Sequence, residues 1–432
     1  MKFYSLNKKS PAVDFKEATI RGQASDKGLY FPEHIPVLHK RFFETIREMD
    51  NSEIAFHVIR PYVEGCIPEA ELRKIVKETI DFPIPLVQVN DRMFSLELYH
   101  GPTLAFKDVG ARFMSRCLGY FSREKEQKVV VLVATSGDTG GAVAHGFYNV
   151  EGVEVVILYP SGKVSAVQEK QLTTLGMNIH TLEVEGSFDD CQRLVKQAFA
   201  DEELQREIFL TSANSINVAR WLPQQFYYFL AYKQWAESTP PVFCVPSGNF
   251  GNICAGILAY VSGLPVKHFI AACNANDVVP AFLQTGQYRP KNAVATISNA
   301  MDVGDPSNFI RMLELFQHKW DDLHEILSSY SITDDETKLT IQKVYKQYAY
   351  VLDPHGAVAY ASLERYLNSV KDDRGIFLET AHPVKFYNIV EPVIHKQITM
   401  PPALNEIVSG EKNAVKVPAE YKLIKDFIRR TT

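Results

Sequence analysis

The residues with the clearest capacity for chemistry lie in His100-Gly-Pro-Thr-Leu-Ala-Phe-Lys107-Asp-Val-Gly-Ala-Arg-Phe-Met114. Gly101 and Pro102 begin a turn. Phe106, Val109, Phe113 and Leu118 then fall on one apolar face of a predicted helix. Lys107 stands where the turn becomes that helix, among Leu104, Ala105, Phe106 and Val109. An amine in apolar surroundings loses the hydration of its charged form, so its pKa falls. A lysine that sheds its proton can form a Schiff base with a carbonyl compound. The alternative is a lysine that buries its stem and carries its ammonium into water.

A second stretch, Val242-Phe-Cys-Val-Pro-Ser-Gly-Asn-Phe-Gly-Asn252, reads as a buried strand, a glycine turn and a helix through Ile253, Ile257, Leu258 and Tyr260. The first N–H groups of such a helix attract an anion, and glycines let the backbone approach it. Gly248, Asn249, Phe250, Gly251 and Asn252 are therefore candidates for a phosphate cradle. An imine-forming lysine and a phosphate cradle in one α/β chain suggest pyridoxal phosphate. An ordinary strand-to-helix turn uses the same residue types.

Three further stretches suit anions or ring atoms. Thr135-Ser-Gly-Asp-Thr-Gly-Gly-Ala142 follows a strand-like run and opens a helix, so its hydroxyls and N–H groups suit a carboxylate or phosphate. Asp138 there could equally cap the helix. In Asn214-Ser-Ile-Asn-Val-Ala-Arg220, Arg220 falls one helical turn after Asn217. Two amides and a guanidinium suit a phosphate monoester. An N-cap Asn and a surface Arg would look the same. Thr380 ends the run Ile376-Phe-Leu-Glu, and ligands collect at strand C-termini in parallel sheets.

The elements that must hold these residues follow from period and punctuation. Val129–Ala134, Val153–Leu158 and Ile179–Val184 read as strands, with helices predicted over 140–148, 165–175 and 189–200. This βαβαβα order implies a parallel sheet covered on both faces. A long helix is expected from about Val218 to Trp235. The alternation resumes with strands at Val242, Val266–Ala272 and Gly375–Thr380, and 298–350 reads as mostly helical. Before these, 15–20, 40–49 and 69–79 look helical between prolines. The expected division is 1–95, a mostly helical N-terminal domain; 96–240, a first α/β domain; and 241–432, a second.

The 432 residues are 46% hydrophobic and 22% charged, a soluble globular balance, with formal net charge −5. No basic run supports nucleic-acid binding. The six cysteines lack metal-ligand spacing and read as free thiols, and no metal is predicted. The N-terminus has no secretory h-region, and no 18-residue apolar run suggests a membrane span, so a cytoplasmic protein is expected. No obligatory protein partner is predicted.

The chain resembles the threonine synthase family within the fold-type II pyridoxal-phosphate enzymes. The resemblance rests on Asp26-Lys-Gly-Leu-Tyr-Phe-Pro32, His100 to Asp108, Ala134-Thr-Ser-Gly-Asp-Thr-Gly140 and Ser212-Ala-Asn-Ser-Ile-Asn217. It continues through Pro246-Ser-Gly-Asn-Phe-Gly251, Ser298-Asn-Ala-Met-Asp302 and Thr380-Ala-His-Pro383. It implies the fold-type II architecture, with two α/β units on parallel sheets and a helical N-terminal domain. It implies that Lys107 carries pyridoxal 5′-phosphate as a Schiff base and acts as general acid–base. Cofactor contacts would come from Phe106, Asp138, residues 248–252 and Thr380, whose hydroxyl would meet the pyridine nitrogen. Many relatives carry Asn where Asp138 stands, and an ionised Asp cannot donate a hydrogen bond. Thr135, Ser136 and Thr139 would hold the substrate's amino-acid end, and Asn214, Asn217 and Arg220 its phosphate. Lys163 and Arg112 lie in matched stretches without an assigned role, and His100, His355 and His382 are expected to be structural. The implied reaction turns the small molecule O-phospho-L-homoserine and water into L-threonine and phosphate. A related phospho-lyase releasing 2-oxobutanoate and a non-catalytic cofactor-binding protein are the alternatives.

Overall fold

Two parallel-stranded sheets carry the molecule in the computed structural model, which describes residues 1–123 and 128–431. The first sheet runs Val415–Pro418, Ile179–Glu185, Val153–Pro160, Val129–Ala134, Phe209–Ser212, with every neighbour parallel. All six residues of Val129–Ala134 are buried, as expected for a strand covered on both faces. The second runs Leu327–Ser331, His268–Cys273, Val242–Pro246, Gly375–Glu379, Met93–Glu97, Leu86–Gln88. Its strands are parallel except Leu86–Gln88, an antiparallel edge.

Sheet membership crosses the expected division of the chain at two points. Met93–Glu97 lies beside Gly375–Glu379, and Val415–Pro418 returns to Ile179–Glu185 in the other sheet. Neither pairing is signalled locally, because strand partners are chosen by tertiary contacts. Leu327–Ser331 is a strand inside the region expected to be mostly helical. It is a half-buried edge strand rich in serine, so it lacks an apolar run. The helix expected over 218–235 is broken into Val218–Trp221, a 3₁₀ turn Leu222–Gln225 and Phe226–Gln234. Pro223 has no N–H to continue the α-ladder.

The N-terminal region holds the helices Phe15–Arg21, Lys40–Thr45, Asn51–Val63 and Glu69–Thr79, with a small antiparallel pair, Phe3–Ser5 and Tyr30–Pro32. Asn51–Val63 was not legible in the sequence, because its start is polar and Pro61 lies inside it. It nevertheless buries Ile54, Val58, Ile59 and Tyr62. Among the described residues no helix is long and apolar enough to cross a membrane. Cys117, Cys191, Cys244, Cys254 and Cys273 are buried free thiols, and Cys66 is half-buried and free.

Candidate active site

Lys107 is the first residue of the helix Lys107–Ser122. The turn before it is fixed from two sides. Asp108, buried, accepts from the Thr103 N–H at 2.9 Å and from its hydroxyl at 2.5 Å. Residues 104–106 also lie against the chain leaving Gly375–Glu379. Phe106 N donates to the Thr380 carbonyl at 2.9 Å, and His382 N donates to that of Leu104 at 3.0 Å. Leu104 adopts a φ of 55°, a left-handed conformation that a branched side chain rarely takes. Thr380 is thereby brought beside Lys107. Tyr227 closes this wall, with its hydroxyl donating to the Phe106 carbonyl. The Lys107 amine sits 5.9 Å over the Phe106 ring and has no hydrogen-bond acceptor among the described residues. Burial lowers its pKa to about 8; Asp138 opposes this, and Lys385 and Arg220 add to it.

Asp138 begins the helix Asp138–Phe147 and is buried. Its carboxylate lies 2.6 Å from the ammonium of Lys385 and accepts from Gln168 Nε2 at 3.0 Å. Burial pushes its pKa up, but Lys385 and Lys107 outweigh this and hold it well below the usual carboxylate range. Gly137, at φ 135°, makes the turn; a Cβ there would fall 2.5 Å from Gln168 Cδ. Thr135 spends its hydroxyl on the same turn. The oxygen accepts from Gly137 N at 3.0 Å and Gly140 N at 2.9 Å, and the O–H donates to the Gly137 carbonyl. Ser136 and Thr139 are half-buried, and among the described residues neither hydroxyl has a partner.

The loop before the helix Gly251–Val261 is tied to the loop before Arg220. Asn249 Nδ2 donates to Ser215 Oγ at 2.6 Å, and its Oδ1 accepts from Ser307 N at 2.6 Å. Asn308 Nδ2 donates to the same serine oxygen at 3.3 Å and to the Asn249 carbonyl at 3.1 Å. Phe250 caps the helix at φ 60°, with its ring against Phe309. Gly248 lies under the backbone of Met301, which an added Cβ would meet at 2.6 Å. Asn252 accepts from Tyr228 through its Oδ1, while its Nδ2 is buried without a partner.

Arg220 is buried, donates to the Ala213 carbonyl at 2.5 Å and leaves Nε unpartnered. Burial lowers its pKa to about 10 against the opposing pull of Tyr227 and Asp108, which leaves it charged. Asn217 differs from the expectation that it serves a substrate. Its Nδ2 donates to the Thr19 and Ser212 carbonyls, and its Oδ1 caps the next helix through Ala219 N. Both amide hydrogens are therefore spent. Asn214 is half-buried, with its side chain unpartnered among the described residues.

Known proteins resemble the chain over its whole length. Residues 83–380 match the family described as pyridoxal-phosphate dependent enzyme. Residues 2–80 match the threonine synthase N terminus, and residues 356–428 the threonine synthase C-terminal family. The threonine synthase of Serratia marcescens is 46% identical over 430 residues, 99% of each chain. The chain belongs to the threonine synthase family.

Members of this family are pyridoxal-phosphate-dependent lyases of threonine biosynthesis. The crystal structure of Escherichia coli threonine synthase superposes with a TM-score of 0.93 at 42% identity, covering 100% of both chains. A pyridoxal-phosphate-bound threonine synthase from Brucella melitensis superposes with a TM-score of 0.93 at 33% identity, over 100% of this chain and 99% of that one. The architecture is fold-type II, shared at 15% identity and a TM-score of 0.58 with a threonine deaminase of Solanum lycopersicum.

The cofactor of this threonine synthase family chain is pyridoxal 5′-phosphate. The residues present fit it: an amine without an acceptor at Lys107, and a buried Asn252 amide without a partner in the first turn of the Gly251 helix. Three histidines are committed elsewhere. His100 pairs with Glu97 at 2.7 Å, and His355 joins Asp353 to the Ala300 N–H. His382 accepts from Val384 N, and burial lowers its pKa to about 4. Arg112 binds the Glu78 carbonyl and Asp81, anchoring the N-terminal region, and Lys163 is exposed. Sequence reasoning passed over Ser215, Asn308, Tyr227 and Lys385. The one signal for Lys385 was its place between Val384 and Phe386, just after Thr380.

Proposed function

We propose that this chain converts O-phospho-L-homoserine and water to L-threonine and phosphate in the cytoplasm, with Lys107 as the residue that holds the cofactor and moves protons. The observation that carries this reading is the Lys107 amine, without an acceptor, its pKa lowered to about 8, beside Asp138 and Thr380. When bound, pyridoxal phosphate supplies a carbonyl for amines and an electron sink for charge at the substrate's α-carbon. Lys107 removes the proton from that carbon and returns protons as the reaction advances. The N–H groups opening the Gly251–Val261 helix, with Asn252, hold the cofactor's phosphate. Phe106 and Thr380 border the ring. Ser136 and Thr139 hold the substrate carboxylate. Arg220 and Asn214 orient the substrate phosphate, which leaves the γ-carbon before water adds at the β-carbon. Asn217 and Asn249 support these loops through their own hydrogen bonds. We read the chain as three regions, 1–95, 96–240 and 241–432, with strands exchanged between them.

Incubating the holoenzyme with O-phosphohomoserine tests the reading. Threonine and phosphate in equal amounts are expected. Release of 2-oxobutanoate would make the chain a phospho-lyase, and absence of phosphate would make it a non-catalytic cofactor-binding protein.

A further inference from the structure

Lys385 is fully buried in the 3₁₀ turn Pro383–Phe386, which follows Thr380. Its ammonium lies 2.6 Å from Asp138 Oδ1 and donates to the Thr103 carbonyl at 2.9 Å. An ammonium has three N–H donors, so one is left without an acceptor among the described residues. A buried ion pair is often no gain in stability over apolar side chains of like volume. The pair therefore calls for another use, and its surroundings supply one. Asp138 opens a helix beside Lys107, and Thr103 belongs to the turn that presents Lys107. Pyridoxal carries a phenolic oxygen on the ring carbon next to its aldehyde, an acceptor that a donor near the imine-forming amine would suit.

We propose that Lys385 is a cofactor-binding residue, donating its remaining N–H to the phenolic oxygen of pyridoxal phosphate while Asp138 holds it in place. This rests on the reading of Lys107 as the cofactor-bearing lysine. It also explains an Asp at position 138, since the carboxylate positions the donor and is not itself the donor. A second consequence is electrostatic. The charged groups facing Lys107 are Asp138, Lys385 and Arg220, and Lys385 disfavours a proton on the Lys107 amine. Asp108, His145 and His382 also feel the charge of Lys385.

The test compares Lys385→Met, Asp138→Asn and the double variant by titrating each apoprotein with pyridoxal 5′-phosphate. Lys385→Met should bind about tenfold to a hundredfold more weakly, as for loss of a charge-assisted hydrogen bond. The double variant has neither buried charge unpaired, so it folds without that penalty, and it should stay as weak as Lys385→Met. Asp138→Asn alone keeps the donor and should bind within a few-fold of wild type. The pH at which the Lys107 amine of the apoprotein becomes reactive should rise in Lys385→Met. Recovery of wild-type affinity in the double variant would overturn the proposal, since Lys385 would then serve only to neutralise Asp138. Wild-type affinity in Lys385→Met would overturn it as well. Lys107→Ala separates the two readings. If it keeps the cofactor's imine absorbance, the assignment of Lys107 falls and this one with it; if that absorbance is lost, failure of the Lys385 variants falls on Lys385 alone.

Discussion

Two glycines of the cofactor-phosphate loop separate packing from anion approach. A Cβ on Gly248 would sit 2.6 Å from Met301 Cα and 3.0 Å from the Ala300 carbonyl oxygen. Both neighbours are backbone, held by the Asn299–Met301 turn, so the overlap cannot be relieved by a rotamer change. Overpacking of this kind costs about 1–3 kcal/mol. A Cβ on Gly251 would meet nothing closer than Asn308 Nδ2 at 3.4 Å, and Gly251 is outside the left-handed region. Gly251 is the first residue of its helix, where propensity weighs less than in the interior, so Gly251→Ala should leave the apoprotein about as stable. Its methyl would nevertheless press on Asn308 Nδ2 at 3.4 Å and Ser215 Cβ at 3.7 Å, the side chains that hold the loop whose N–H groups open the helix. Losing one charge-assisted hydrogen bond is worth about 1.5–3 kcal/mol, or about tenfold to a hundredfold in affinity. Thermal melts of the apoproteins and titration with pyridoxal 5′-phosphate give both quantities. Gly248→Ala should lower the melting temperature, and Gly251→Ala should weaken the cofactor without lowering it. Unaltered affinity in Gly251→Ala would refute the loop as the phosphate site. An unaltered melt in Gly248→Ala would refute the packing argument.

Lys107 should label with an amine reagent in the apoprotein as pH rises through about 8, because the neutral form grows above the lowered pKa. An ordinary surface lysine reacts near its own pKa, about 10.4, and such a profile for Lys107 would contradict the lowered pKa of its amine. Lys107→Ala should cost on the order of 10²–10⁴-fold in turnover from lost proton transfer, measured as phosphate release. Arg220→Ala should lower kcat/KM for O-phosphohomoserine by about tenfold to a hundredfold with cofactor content unchanged; loss of cofactor instead would mean that the two phosphate sites are exchanged. Asn217→Ala should act on stability through its lost cap, about 1 kcal/mol, and a KM effect without a stability loss would restore it as a ligand.

The sequence alone carried what is locally encoded. Val129–Ala134 reads as a buried strand because six apolar residues in a row cannot satisfy a half-exposed position. Gly137 and the Lys107 turn are legible because turn chemistry depends on a few neighbouring residues. The order of those turns was enough to suggest the cofactor and the family. Tertiary structure decided where hydrogen bonds and charges are spent. Asn217 reads as a free amide until Thr19, 198 residues away in sequence, accepts one of its hydrogens beside the nearby Ser212 carbonyl that takes the other. Asp138 reads as a misfit for a donor until Lys385 comes within 2.6 Å. Leu327–Ser331 and Val415–Pro418 become strands because a parallel sheet offers them an edge, not because their residues demand it. A side chain's partners and its burial are set by segments distant in sequence, and those contacts determine whether a lysine is a solvated surface charge or a donor inside an active site.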